Sequence, residues 1–84
     1  MHWNHRIIRK VDPSSSELYF EIHEVHYDDN GKIEAWTESA VSPFGESKGE
    51  LESEVRLFLK AFEKPILECR TVEGKEVLIE IDPS

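Results

Sequence analysis

Cysteine is almost absent. Cys69 is the only one among 84 residues, which excludes an internal disulfide framework and any zinc module built on several cysteines. Long apolar runs are missing as well. No stretch approaches the roughly 18 residues of a membrane span, and no charged start leads into an apolar segment of signal-peptide type. The expectation is therefore a cytoplasmic protein without membrane contact. Phosphate-cradling loops are lacking too, since Gly45 and Gly49 fit neither G-x-G-x-x-G nor a Walker pattern. Positive charge is scarce, with ten Lys and Arg against eighteen Asp and Glu and a net charge of −8. Such a chain repels nucleic-acid phosphates, so direct nucleic-acid binding is not expected.

What is present suffices for one small domain over residues 1–84. A chain of this length buries only about 60% of its unfolded surface, so its core is thin. The few cations are unevenly placed: Arg6, Arg9 and Lys10 share the first ten residues with no acid. A basic strand beside an acidic neighbour explains this. The sharper reading is a short arm for an acidic partner, but such arms carry denser charge blocks.

Arg6 to Val11 is short and β-branched and reads as a strand, closed by the turn cluster Asp12-Pro13-Ser14-Ser15-Ser16. Leu18 to Tyr27 reads as a second strand. Leu18, Phe20 and Ile22 share one face, whereas Val25 and Tyr27 have the opposite parity. Two arrangements fit: a bulge near His23-Glu24, or a strand covered on both faces. Asp28-Asp29-Asn30-Gly31 supplies a tight hairpin turn through Asn-Gly, and Lys32 to Glu38 is the return strand, with Trp36 facing away from Ile33 and Ala35. After Ser42-Pro43-Phe44-Gly45, Ser47 and Glu50 form a capping box. Leu51, Val55, Phe58, Leu59 and Phe62 then make an amphipathic stripe that Pro65 terminates. Ile66 to Asp82 reads as further strand with a turn at Glu73-Gly74; whether Ile66 to Val72 is a separate paired strand is left open. The order is β-β-β-α-β, an α+β fold. A three-stranded antiparallel meander carries one helix on one face, followed by a C-terminal strand or hairpin.

The stretch Tyr19 to Leu67 resembles a group of short, uncharacterised bacterial proteins. Their shared pattern is an I-H-E-V-x-Y strand, an aspartate-rich turn, W-T-E, then G-E-S before a helix that ends K-P-x-L. No activity comes with that resemblance. The element order is also similar to the partner-binding domain of HicB-type antitoxins, which implies an inhibitor of a small ribonuclease toxin. This likeness is one of fold order, and fold alone does not carry function.

Candidate chemistry is sparse. His23, Glu24 and His26 fall one residue short of the zinc-protease H-E-x-x-H, and strand positions three apart face opposite ways, so no metal site is expected. Cys69 reads as a half-buried strand residue, inert unless its pKa is lowered. The serines sit in turns or at the cap, and no G-x-S-x-G occurs. No catalytic residue, metal or cofactor is assigned. A small enzyme or metal protein using His23, Glu24 and His26 is the rival class. Leu57, Ala61 and Trp36 lie off the expected core and mark a possible interaction surface. The functional expectation is a non-catalytic interaction module that homodimerises or binds a protein partner.

Overall fold

The structure is a computed structural model that describes residues 2–81. It is an α+β fold with five strands: β1 His2–Val11, β2 Leu18–Tyr27, β3 Ile33–Trp36, β4 Ile66–Val72 and β5 Lys75–Ile81. Among the described residues a single helix, α1 Lys48–Leu59, runs on into a 3-10 turn, Lys60–Glu63. The tail is thus two strands forming a hairpin, not one, and Asp82 lies outside the described residues. Sheet order is β3-β2-β1-β4-β5. The pairs β1–β2, β2–β3 and β4–β5 are antiparallel, and β4 joins β1 in parallel, through Ile8↔Leu67 and Arg9↔Glu68. A parallel neighbour requires a long crossover, and the stretch carrying α1 supplies it. Among the described residues no helix is long and apolar enough to cross a membrane.

The basic segment is the centre of the sheet. Its cations meet acids on both neighbouring strands and on the edge strand beyond: Lys10 Nζ lies 3.0 Å from Glu21 on β2, Arg9 grips Glu68 on β4, and Arg6 lies 3.5 Å from Glu80 on β5. Arg6 is itself buried. It donates to the Tyr27 hydroxyl and to the Pro65 carbonyl, each at 2.8 Å, and Tyr27 donates onward to Asn4. These bonds pin the entry of β4 to the β1–β2 pair.

Register decides which sheet face holds the core. β1 and β2 pair without interruption from His2↔Tyr27 to Val11↔Leu18, so no bulge occurs at His23-Glu24. Opposed residues share a face; one face therefore carries Trp3, His5 and Ile7 with Ile22, Glu24 and His26. The other carries Asn4, Arg6, Ile8 and Lys10 with Glu21, His23, Val25 and Tyr27. The buried cluster Ile8, Val25, Leu67 and Leu78 lies on this second face, with Tyr27, Ile33 and Trp36 packed against it. Of the two parities left open by the sequence, that of Leu18 and Phe20 is the exposed one, both residues being more than half exposed.

The register slip falls instead at His26/Tyr27 against β3, so Trp36 opposes Val25 while Ile33 opposes Tyr27. That irregularity brings Trp36 and Ile33, three apart, to the same face. Trp36 is thus a core-facing residue, not an outward one. β3 ends at Trp36, short of the expected Glu38. The preceding turn differs too. Gly31 has φ +81° and Asn30 is not left-handed, while Asp28 Oδ1 accepts from Asn30 N at 2.8 Å and Lys32 N at 2.9 Å. An aspartate-capped loop replaces the two-residue Asn-Gly turn. The true two-residue turn is Glu73-Gly74, both residues having positive φ (52° and 80°), which matches strand twist.

Trp36 and Glu38, at and just beyond the end of β3, and Glu76 from β5 line one cleft, although β3 and β5 are opposite edges of the sheet. The sheet therefore curls into a trough with the core on its floor. The helix sits outside, on the convex face, where Phe58 stacks on His5 with ring centroids 4.3 Å apart. Ser47 caps α1, its Oγ accepting from Glu50 N at 3.1 Å, an interaction worth about 1 kcal/mol. A convex surface touches a helix along a narrow line. Phe58 is the only buried residue of α1, and Ala61 follows it inward from the 3-10 turn. Leu51, Val55, Leu59 and Phe62, expected to face the core, are 39–66% exposed.

Candidate functional site

Two concave regions stand out, one on each face. The first is the trough, a cleft of about 520 Å³ lined by Lys10, Tyr19, His23, Trp36, Glu38 and Glu76 among others. β2 brings His23 onto its wall, and the segment after β3 fixes the ring. Nδ1 lies 2.9 Å from the Thr37 carbonyl and 3.1 Å from Thr37 Oγ1. A carbonyl only accepts, so Nδ1 carries the proton. Nε2, on the far side of the ring, has no hydrogen-bond partner although the side chain is 1% exposed. The Glu21 carboxylate lies 3.6 Å from it. Glu21 itself accepts from Lys10, which holds its carboxyl below the ordinary value. Cys69 is an exposed residue, not a half-buried one, with its sulfur in the cleft wall 3.6 Å from Glu76. Local burial and then the Glu76 carboxylate push its thiol up, the opposite of what a nucleophile needs.

The second region is an apolar groove of about 460 Å³ on the convex face, lined chiefly by Ile7, Phe20, Ile22, Phe62 and Ile66. Phe20 and Phe62 are 55% and 66% exposed, so the groove is open and greasy. Leu59, at the end of α1 just before the 3-10 turn that carries Phe62, and Leu18, on the strand of Phe20, are each more than half exposed and add apolar surface.

The residues singled out in the sequence are dispersed. His23 is buried in the trough wall, whereas Glu24 and His26 stand on the convex face, 3.7 Å apart. Among the described residues no group of three or more His, Cys, Asp or Glu side chains converges on a point that could hold a metal. Ala61 is completely buried and offers no surface. Leu57 lies beside Trp3 and His5 on the convex face, and Trp36 lines the trough, so the two do not belong to one surface. Sequence reasoning missed Phe20, Phe62 and Leu59 because their spacing is that of core residues; only the curvature of the sheet exposes them. No protein-family model, curated protein or solved structure matches the chain.

Proposed function

We propose that the chain is a non-catalytic protein-interaction module whose first partner is a second copy of itself, bound through the convex face. The observation that carries this reading is the exposed apolar stripe of α1 and the 3-10 turn beside the open groove. Areas give its scale. The accessible surface is 6421 Å², whereas a monomeric protein of 9.8 kDa has about 5,200 Å². The excess, roughly 1,200 Å² per chain, exceeds the ~800 Å² that each partner buries in a standard interface and suits a permanent homodimer. The radius of gyration agrees, at 14.0 Å against about 12 Å for a compact domain of this length. A two-fold axis would place the same patch on both copies, each Phe62 entering its partner's groove.

Sedimentation velocity tests this directly. A species of twice 9.8 kDa, converted to monomer by Phe62→Glu with unchanged circular dichroism, is the expected result. A wild-type monomer at about 100 μM, well above the micromolar range of weak dimers, would refute it. The reading of the chain as an antitoxin-type inhibitor is favoured by one observation, the net charge of −8, which would steer it toward a basic ribonuclease. A stoichiometric complex with such a ribonuclease that blocks cleavage would establish it, and retained cleavage would dismiss it.

A further inference from the structure

The outer edge of β5 is open to a further strand. We propose that it binds an extended segment of a partner protein, in which two basic residues flank a short apolar run, as an antiparallel strand added beside β5. Topology and turn geometry carry the argument. β5 ends the sheet order, and its seven residues pair with β4 without interruption from Ile66↔Ile81 to Val72↔Lys75. The hairpin closes through Glu73-Gly74, where both φ are positive. Such a two-residue turn makes Val72 and Lys75 a hydrogen-bonded pair. Pairing alternates from there, so Lys75, Val77, Ile79 and Ile81 direct their backbone groups to β4. Glu76, Leu78 and Glu80 aim theirs outward, and none of these bonds to another backbone segment among the described residues.

The opposite edge is different. β3 is four residues long and carries a register slip against β2, and short or irregular strands are how proteins blunt an edge. β5 has no slip and no proline. Its glutamates select the occupant. The side chains of Glu76, Leu78 and Glu80 stand on the concave face, with Leu78 in the buried cluster between the two carboxylates. A second copy matches poorly. Two-fold pairing centred on Leu78 sets Glu76 against Glu80 twice, like charges directly opposite one another, and every shifted register shortens the ladder. Basic residues at those two positions make the same carboxylates attractive, which favours such a segment over a second copy. An apolar residue between them extends the packing of Leu78. Arg6 lies 3.5 Å from Glu80, whose side chain is still 64% exposed. Val77 and Ile79, half-buried on the convex side, suit apolar residues at the intervening positions. The occupant therefore reads basic-apolar-apolar-apolar-basic. This edge is separate from the groove at Phe62, so the dimer reading and this one stand or fall separately.

The test is amide hydrogen exchange, resolved by residue, during titration with the end-capped peptide Gly-Ser-Lys-Val-Leu-Val-Lys-Ser-Gly. Expected is saturable binding that slows exchange of the Glu76, Leu78 and Glu80 amides at least about tenfold. N-methylation of the peptide at both lysines and the leucine removes the N–H groups that face the edge and should abolish binding. N-methylation at the two valines, whose N–H groups point away, should leave it intact. A peptide with glutamate in place of both lysines should not bind. Glu76 is exposed, so Glu76→Lys keeps its fold, checked by circular dichroism, and should bind the basic peptide at least about tenfold more weakly. Unprotected edge amides, equal binding of the acidic peptide, binding that survives N-methylation at lysine and leucine, or undiminished binding by Glu76→Lys would overturn the proposal. So would protection of the three amides in peptide-free protein that grows with protein concentration, which identifies a second copy as the occupant.

Discussion

Replacing Phe58 with alanine is expected to detach α1 while leaving the trough intact. Phe58 is the only buried side chain of the helix and stacks on His5 at 4.3 Å. Truncating a buried phenylalanine costs about 3–5 kcal/mol. Little else secures the helix, since 12 residues are at or below the length at which isolated helices become marginal in water. The buried cluster of Ile8, Val25, Leu67 and Leu78 lies on the other face and keeps all its neighbours. The loss should therefore be local. Amides of residues 51–59 should exchange at least a hundredfold faster, the factor that about 3 kcal/mol implies at a tenfold change per 1.4 kcal/mol. Strand amides of β1, β2 and β4 should keep their protection. Hydrogen exchange resolved by residue is the assay, run at low protein concentration so that a second copy does not hold the helix in place. Equal acceleration in helix and strands would mean that the convex contact is part of one cooperative core, and the reasoning would fail. Unchanged helix exchange would refute it from the other side.

Two further results are expected. Gly45→Ala should destabilise, because an added Cβ would lie 2.4 Å from Leu51 N and 2.8 Å from the Glu50 carbonyl carbon, where the loop presses on the first turn of α1. Gly49→Ala meets only Ser47 Oγ at 4.0 Å and should stabilise by about 0.5–1 kcal/mol, and opposite shifts of the denaturation midpoint check the pair. Acid should weaken the fold through Glu68 and Glu21. Hydrogen bonds from Arg9 and Arg70 lower the Glu68 carboxyl, and the bond from Lys10 lowers that of Glu21. A depressed folded value means stability present above the unfolded value of about 4.3 and lost as pH falls through the folded one. Glu68→Gln should flatten the acid limb of stability measured from about pH 6 down to pH 2; an unaltered slope would show that the pair does not contribute.

The parts legible in the sequence are those fixed by local chemistry. Ser47 caps α1 as the Ser-x-x-Glu spacing indicates, and Lys64 leaves the 3-10 turn in extended conformation before Pro65. The opposite charges along β1 meet across strands as composition suggests. The choice of core face was not legible. Counting apolar residues favours Leu18, Phe20 and Ile22, yet the buried parity of β2 is that of His23, Val25 and Tyr27. Polar side chains are buried there with partners for part of their donors and acceptors, His23 on Thr37 and Arg6 on Tyr27 and Pro65, while Arg6 Nε and His23 Nε2 have no hydrogen-bond partner among the described residues. Nor does periodicity reveal sheet curvature, which places the apolar stripe of α1 on a convex surface that cannot enclose it. The parallel β1–β4 pairing is likewise non-local and leaves no pattern in either strand alone. Of the candidate site, the sequence alternation points Trp36 outward, while it lines the cleft because a register slip turns it inward.

That parallel seam governs how the chain assembles. Arg9 and Glu68 are 59 positions apart, and closing a loop of that length costs roughly 3–4 kcal/mol beyond a constant before any contact repays it. The meander of β1, β2 and β3 and the hairpin of β4 and β5 are each local and can form early, so the seam between them closes last. Until it does, the strand destined for the middle of the sheet is an edge, with a row of unpaired backbone groups. On a ribosome that interval lasts for several seconds at ordinary elongation rates. A hairpin from a neighbouring nascent chain presents the same β4 sequence to that edge. Strand exchange across the β1–β4 seam is thus the misassembly to which this topology is most open, with the Arg6 and Arg9 contacts as the clasp that closes it within one chain.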